Sequence, residues 1–247
     1  MGALLPNIDP DGLLEYSVVF TDRSLNHMSK SFQYVMNDIS RGLKNAYNAT
    51  SVVVIPGGGT FGMEAVARQF GSNKKCMVIR NGWFSYRWSQ ILDQGNIATE
   101  TTVIKAQRDK KNIDAAFSPT SITEVVKQIE NIKPEVVFAP HVETSAGMML
   151  PDDYIKELTK AVHSVGGIFV LDCVASGALW IDMKKTNVDV LISAPQKGWS
   201  SSPCSGLVML GDSATKLIRE TKSSSYVCDL LKWLQIMESY ESGGHAY

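Results

Sequence analysis

A three-layer αβα arrangement around a mostly parallel, seven-stranded sheet is the fold class this sequence predicts, and three observations predict it. Seven short apolar runs, at residues 51–55, 76–79, 101–104, 136–139, 168–171, 188–193 and 207–210, have the length of strands. Several are separated by residues with helical periodicity, most clearly 122–132 and 154–165. The runs are continuously apolar, as strands are when both faces of a parallel sheet are covered.

Residues 1–30 alternate weakly and carry the turn Asp9-Pro10-Asp11-Gly12, which reads as an extended N-terminal arm. Residues 31–247 read as one large α/β domain. It opens with a helix over 31–46, where Phe32, Val35, Met36, Ile39 and Leu43 recur at helical spacing. The β-branched run at 51–55 follows, broken by Gly57-Gly58-Gly59-Thr60, and a helix is expected over 63–70. Two more helices are expected at 213–220 and 227–238, split by the polar loop 221–225. The last carries Val227, Leu230, Leu231, Leu234 and Met237 on one face, a stripe that has to pack against something.

Twenty-four basic and 25 acidic residues give a net charge of −1, so there is no electrostatic case for nucleic acid or an anionic membrane. No stretch is long and apolar enough to span a bilayer. Cys76, Cys173, Cys204 and Cys228 are widely spaced, and with only four histidines among them no zinc pattern emerges. The expected setting is reducing and cytoplasmic. A small ligand is the better expectation.

In an open α/β sheet ligands bind beyond the carboxyl ends of the strands, so the residues just past each apolar run are where chemistry is sought. The run 188–193 delivers Lys197 just beyond its end. Taken alone a lysine is a solvated surface charge; in a cleft at a strand end it is placed for Schiff-base chemistry. The run 168–171 leads into Asp172, a buried carboxylate that needs a cation or several donors; the bland alternative is a loop cap or a protein ion pair. Pro56-Gly57-Gly58-Gly59-Thr60-Phe61-Gly62 lies between strand and helix, where backbone amides and the helix dipole hold phosphate. The same stretch satisfies a dinucleotide pattern at Gly57, Gly59 and Gly62. The next strand ends in Arg80 rather than an acid, which disfavours NAD and keeps an NADP-binding oxidoreductase open. His141-Val142-Glu143-Thr144-Ser145 and the aromatic-rich Gly82-Trp83-Phe84-Ser85-Tyr86-Arg87-Trp88 are two further strand ends. A lone histidine is more often packed than basic, and the aromatics are core by default, although one ring could stack on a flat ligand. A phosphate cradle, an aromatic face, a carboxylate and a lysine together fit pyridoxal 5'-phosphate better than a dinucleotide.

On these blocks the sequence, from about residue 50 onward, resembles the class V aminotransferases of fold type I, the group of alanine-glyoxylate and serine-pyruvate aminotransferases. The blocks are Gly57-Gly58-Gly59-Thr60 with Met63-Glu64-Ala65, Gly82-Trp83-Phe84 with Arg87, His141 to Ser145, Asp172-Cys173-Val174-Ala175-Ser176, and Ser193-Ala194-Pro195-Gln196-Lys197. The resemblance implies that Gly58, Gly59 and Thr60 hold the phosphate, that Gln196 touches it, and that Phe84 and Val174 cover the two ring faces. It implies Thr144 near the ring hydroxyl, Asp172 on the pyridine nitrogen and Lys197 as the Schiff-base lysine. Tyr247, at the end of Gly243-Gly244-His245-Ala246-Tyr247, would begin a segment that reaches a neighbouring subunit's phosphate.

The implied activity moves an amino group from a small amino acid to a 2-oxo acid or aldehyde such as pyruvate or glyoxylate, in a homodimer. Members of the family continue into a smaller C-terminal domain bearing a carboxylate-binding arginine; this chain is expected to lack it, as a truncated form. Gln196 before the lysine, where a histidine would mark a cysteine desulfurase, argues against that activity. An epimerase or lyase of the same fold and a non-catalytic remnant stay open beside the aminotransferase.

Overall fold

A computed structural model describes residues 25, 27–109, 111–112 and 114–244. The arm expected over residues 1–30 therefore lies almost wholly outside the described residues, and Tyr247 lies outside them too. The elements are α1 (Lys30–Tyr47), β1 (Ser51–Pro56), α2 (Gly59–Phe70), β2 (Lys75–Arg80), α3 (Trp83–Gln94), β3 (Glu100–Lys105) and α4 (Ile122–Ile132). They continue as β4 (Val136–Pro140), β5 (Val142–Glu143), β6 (Met148–Met149), α5 (Asp152–Ser164), β7 (Ile168–Asp172) and α6 (Met183–Thr186). The last are β8 (Val190–Ser193), β9 (Ser205–Leu210), α7 (Asp212–Leu217) and α8 (Leu230–Glu241).

Seven strands form one sheet in the order β1-β9-β8-β7-β4-β2-β3. β9 runs antiparallel to both its neighbours, and the other contacts are parallel. All seven apolar runs are strands of this sheet, and their continuous hydrophobicity has a direct cause: alternate residues feed two separate cores. Val78, Phe138, Val170, Ile192 and Val208 face Met63, Phe70, Trp88 and Leu234 on one side. Met77, Val137, Phe169, Leu191 and Met209 face Tyr47, Ile129, Leu158 and Val162 on the other. Trp88 stacks on Phe138 with ring centroids 4.4 Å apart, anchoring α3.

Where the elements depart from expectation the reasons are local. α2 starts at Gly59, four residues before the apolar periodicity, because the glycine-rich turn itself winds into the first helical turn. Residues 83–94 form α3, which turns Trp83 and Phe84 outward; of the aromatics at 83–88 only Trp88 is buried in the core, against the default reading. β5 and β6 pair as a small antiparallel ribbon just past the end of β4. The apolar stripe of the last helix is covered: Leu230, Leu234 and Met237 are buried, with α8 lying against β1 and α1. Residue 227 precedes that helix, and Val227 is exposed.

At the opposite, amino-terminal edge of the sheet, buried Asp189 accepts the amide of Phe169 (2.8 Å) and bonds His163 Nε2 (2.8 Å). This ties the last turn of α5 to β7, and the hydrogen bond to Asp189 raises the His163 pKa. A cation at a helix C-terminus is favoured as well. A raised histidine stabilises the fold fully below its unfolded pKa of about 6.5 and loses that effect as pH rises through its folded value. Thermal unfolding of wild type and His163→Gln should therefore differ most at mildly acid pH and converge on the alkaline side. A gap that widens with alkalinity would contradict this assignment.

Candidate functional site

Because β1 runs parallel to the central strands, the residues after β1, β2, β4, β7 and β8 all emerge at one edge of the sheet. The five sequence blocks meet there. β1, however, is an edge strand, whereas a dinucleotide crevice is built where strand order reverses beside a central first strand. The NADP alternative loses its structural context for that reason.

The first amides of α2 are oriented as an anion cradle. Gly58 caps the helix without a side-chain bond, and the first helical hydrogen bond runs from Gly62 N to Gly58 O (3.1 Å). The amides of Gly59, Thr60 and Phe61 precede it and point off the helix end. Arg87 Nη1 donates to Thr60 Oγ1 at 3.0 Å, adding a guanidinium beside the positive end of the helix dipole. Two positive features side by side are unfavourable for the helix and favourable for a phosphate. The turn also packs main chain on main chain: a Cβ on Gly206 of β9 would stand 2.8 Å from Gly58 O and 2.9 Å from Gly62 N.

Asp172 closes β7. It is buried; Oδ1 accepts the Val174 amide at 3.0 Å, and the carboxylate forms no ion pair among the described residues. Burial raises its pKa to about 6, against the pull of the Val174 amide and the Arg87 charge, and the Glu143 charge adds to the rise. A carboxyl group held this way fits a protonated ring nitrogen, which would supply the missing counter-charge. The Val174 side chain comes within 3.0 Å of where a Cβ on Gly59 would stand, so the Asp172 turn and the phosphate turn touch. His141 is buried, its Nδ1 paired with Ser176 Oγ at 2.7 Å, while its amide donates to Asp172 O at 2.8 Å. Burial lowers its pKa, which favours the neutral ring.

Gln196 and Lys197 are exposed on the turn after β8, and the Lys197 amine has no hydrogen-bond or ion-pair partner among the described residues. The turn itself is held firmly. Lys197 N donates to Ala194 O (3.3 Å), Trp199 Nε1 donates to Ser193 Oγ (3.3 Å), and Trp199 packs on Trp180 at 4.5 Å. A Cβ on Gly198 would lie 2.0 Å from Gly177 O, so the lysine turn rests directly on the loop after Asp172. That contact couples the two residues.

Phe84 and Thr144 are joined through Glu143, a residue to which the sequence alone assigns no role. Glu143 is fully buried, and its carboxylate accepts from the amides of Phe84 (3.1 Å) and Ser85 (2.9 Å) and the hydroxyls of Ser85 (2.6 Å) and Ser145 (2.7 Å). These bonds hold its pKa down despite burial. Ser145 Oγ in turn accepts the Trp83 amide at 2.8 Å. The first turn of α3 is thus clamped to the 144–146 turn, leaving the Phe84 ring 39% exposed and Thr144 at the surface of the site. The signal in the sequence is an acid at the end of an apolar strand, with serines at positions 85 and 145 to answer it.

Two changes test this architecture. Glu143→Gln replaces an acceptor-only group by one that also donates, leaving hydroxyl or amide donors unmatched. It should destabilise the chain by about 1–3 kcal/mol in urea titrations. Gly198→Ala forces the lysine turn away from the Gly177 carbonyl, at a cost of about 1–3 kcal/mol if the chain absorbs it as ordinary overpacking. Unaltered unfolding midpoints in both would show that these contacts do not hold the site.

The fold is that of the fold type I aminotransferases. The ureidoglycine-glyoxylate aminotransferase of Bacillus subtilis superposes with a TM-score of 0.73 at 20% identity, over 87% of this chain and 53% of its own. More specifically, the chain belongs to the class V aminotransferase family, whose model, Aminotransferase class-V, matches residues 13–233. Alanine--glyoxylate aminotransferase of Rattus norvegicus is 25% identical over 214 residues, covering 84% of this chain and 49% of the relative. Alanine--glyoxylate aminotransferase 1 of Saccharomyces cerevisiae is 26% identical over 242 residues, covering 91% and 59%. The chain spans roughly half the length of these curated relatives.

Proposed function

We propose that residues 31–247 are the large, cofactor-binding domain of a pyridoxal-phosphate-dependent aminotransferase that moves an amino group from a small amino acid to a 2-oxo acid or aldehyde such as pyruvate or glyoxylate. The observation that carries this reading is the pairing of a Lys197 amine and a buried Asp172, neither with an ion-pair partner among the described residues, on two loops in backbone contact. The family membership supports it.

In this reading Gly58, Gly59 and Thr60 bind the phosphate, with Gln196 beside it. Val174 and Phe84 cover the two ring faces, and Thr144 meets the ring hydroxyl. Bound there, pyridoxal phosphate supplies an electron sink for the negative charge that develops at the substrate Cα. Asp172 holds the proton on the ring nitrogen and so keeps that sink effective. Lys197 would hold the cofactor covalently through Nζ, and the same amine, when free, would serve as the base for the substrate Cα proton. The working form is a homodimer. The four free cysteines accord with a reducing, cytoplasmic setting.

The test is covalent capture. The purified chain, given pyridoxal phosphate and then borohydride, should gain one stable adduct that peptide mass spectrometry maps to Lys197, and Lys197→Ala should gain none there. Asp172→Ala should retain the adduct and slow conversion of the cofactor by added amino acids on the order of 10²-fold or more. An adduct on other lysines, or one indifferent to Lys197, would sink the assignment.

A further inference from the structure

One cluster of charge at the same sheet edge is left unused by the cofactor roles. Arg80 and Lys105 are the last residues of β2 and β3, and they are direct register partners in the parallel pair. Two like charges side by side on neighbouring strands repel, an arrangement that costs stability unless something neutralises it. Neither has an ion-pair partner among the described residues. The Arg80 guanidinium lies 4.8 Å above the Tyr86 ring, which holds it in place without cancelling its charge.

Both residues line a cavity of about 240 Å³, together with Phe117, Gly82, Ser145 and Ala146. Asn81 lines it as well. Its side chain is buried, and its Oδ1 has no hydrogen-bond partner. A half-turn of that amide presents an NH₂ donor in the same place.

We propose that Arg80, Lys105 and Asn81 form a binding subsite for a small oxyanion, a carboxylate or a phosphoryl group. The cavity shares Gly82 and Ser145 with the clamp that sets Phe84, so an anion bound here lies beside the candidate ring site and apart from the α2 cradle. A guanidinium offers paired donors to an oxyanion, the ammonium adds a point charge, and the amide adds a neutral donor. The ligand is either a molecule with an acid group of this kind or the free anion. The site stands on these residues and does not depend on lysine chemistry at position 197.

Guanidinium-specific modification by phenylglyoxal, followed peptide by peptide, reads the site directly. Succinate and inorganic phosphate are the probes, and neutral succinamide is the control. Reaction at Arg80 should slow as either anion is added, while succinamide leaves it unchanged. Lys105→Gln, an exposed edge-strand change, should raise the half-protecting concentration by about 10-fold or more, the size of one charge-assisted hydrogen bond. Lys222→Gln, at the other end of the sheet, should not. Protection by succinate alone assigns the site to carboxylates, and by phosphate alone to phosphoryl groups. Arg80 reacting at the same rate with every anion, or protection that survives Lys105→Gln unchanged, overturns the proposal. Success or failure at Arg80 is independent of the borohydride result at Lys197, so the two readings stand or fall separately.

Discussion

A carboxylate taken out of water has to be answered by donors or by a positive charge, and this chain buries two at one edge of its sheet with opposite solutions. Glu143 is answered in full by amides and hydroxyls from α3 and the 144–146 turn, and that answer fixes where Phe84 and Thr144 stand. Asp172 is left with one amide and a raised pKa. The contrast divides structural from functional acidity within a single site. The satisfied carboxylate is a strut; the other is buried with no ion-pair partner among the described residues.

The rest of the site depends on how closely main chains can approach. The turn of Lys197 rests on the loop behind Asp172, and the start of α2 rests on β9, both without intervening side chains. Contacts of this kind leave little room for adjustment, because a peptide backbone cannot change rotamer. A site assembled from five strand ends therefore keeps its geometry as a unit, while Thr60, Phe84, Thr144, Gln196 and Lys197 reach solvent.

Much of this was legible in the sequence. The central strands announced themselves because each faces two cores and is apolar at nearly every position, a signal that local sequence carries on its own; the edge strand β3, Glu100-Thr101-Thr102-Val103-Ile104-Lys105, carries it only in Val103 and Ile104. The strand-end residues were legible for the same reason, since locating a strand also locates the residues just past its end. The Glu143 clamp was not, because hydrogen bonds spanning 58 residues in sequence leave no periodic trace. Nor was the outward turn of Trp83 and Phe84, where hydrophobicity argued for burial and helical phase decided otherwise. The glycine at 198 is similar: a missing side chain records a close approach without saying to what.

The sheet order carries a consequence for how such a chain is made. Among the described residues β1 is the first strand in chain order, and it pairs at the sheet edge with β9, the last; Ser51 pairs with Leu210. Likewise α1 is joined to the far end of the chain, with Asn37 donating to Tyr240 O and both Ser40 and Lys44 bonded to Glu241. During synthesis β1 and α1 must wait for β9 and α8 to emerge before they can pair. Closure of this nonlocal seam is a step of high contact order, slow and exposed to wrong partners, so the seam is the part of the nascent fold most open to misassembly.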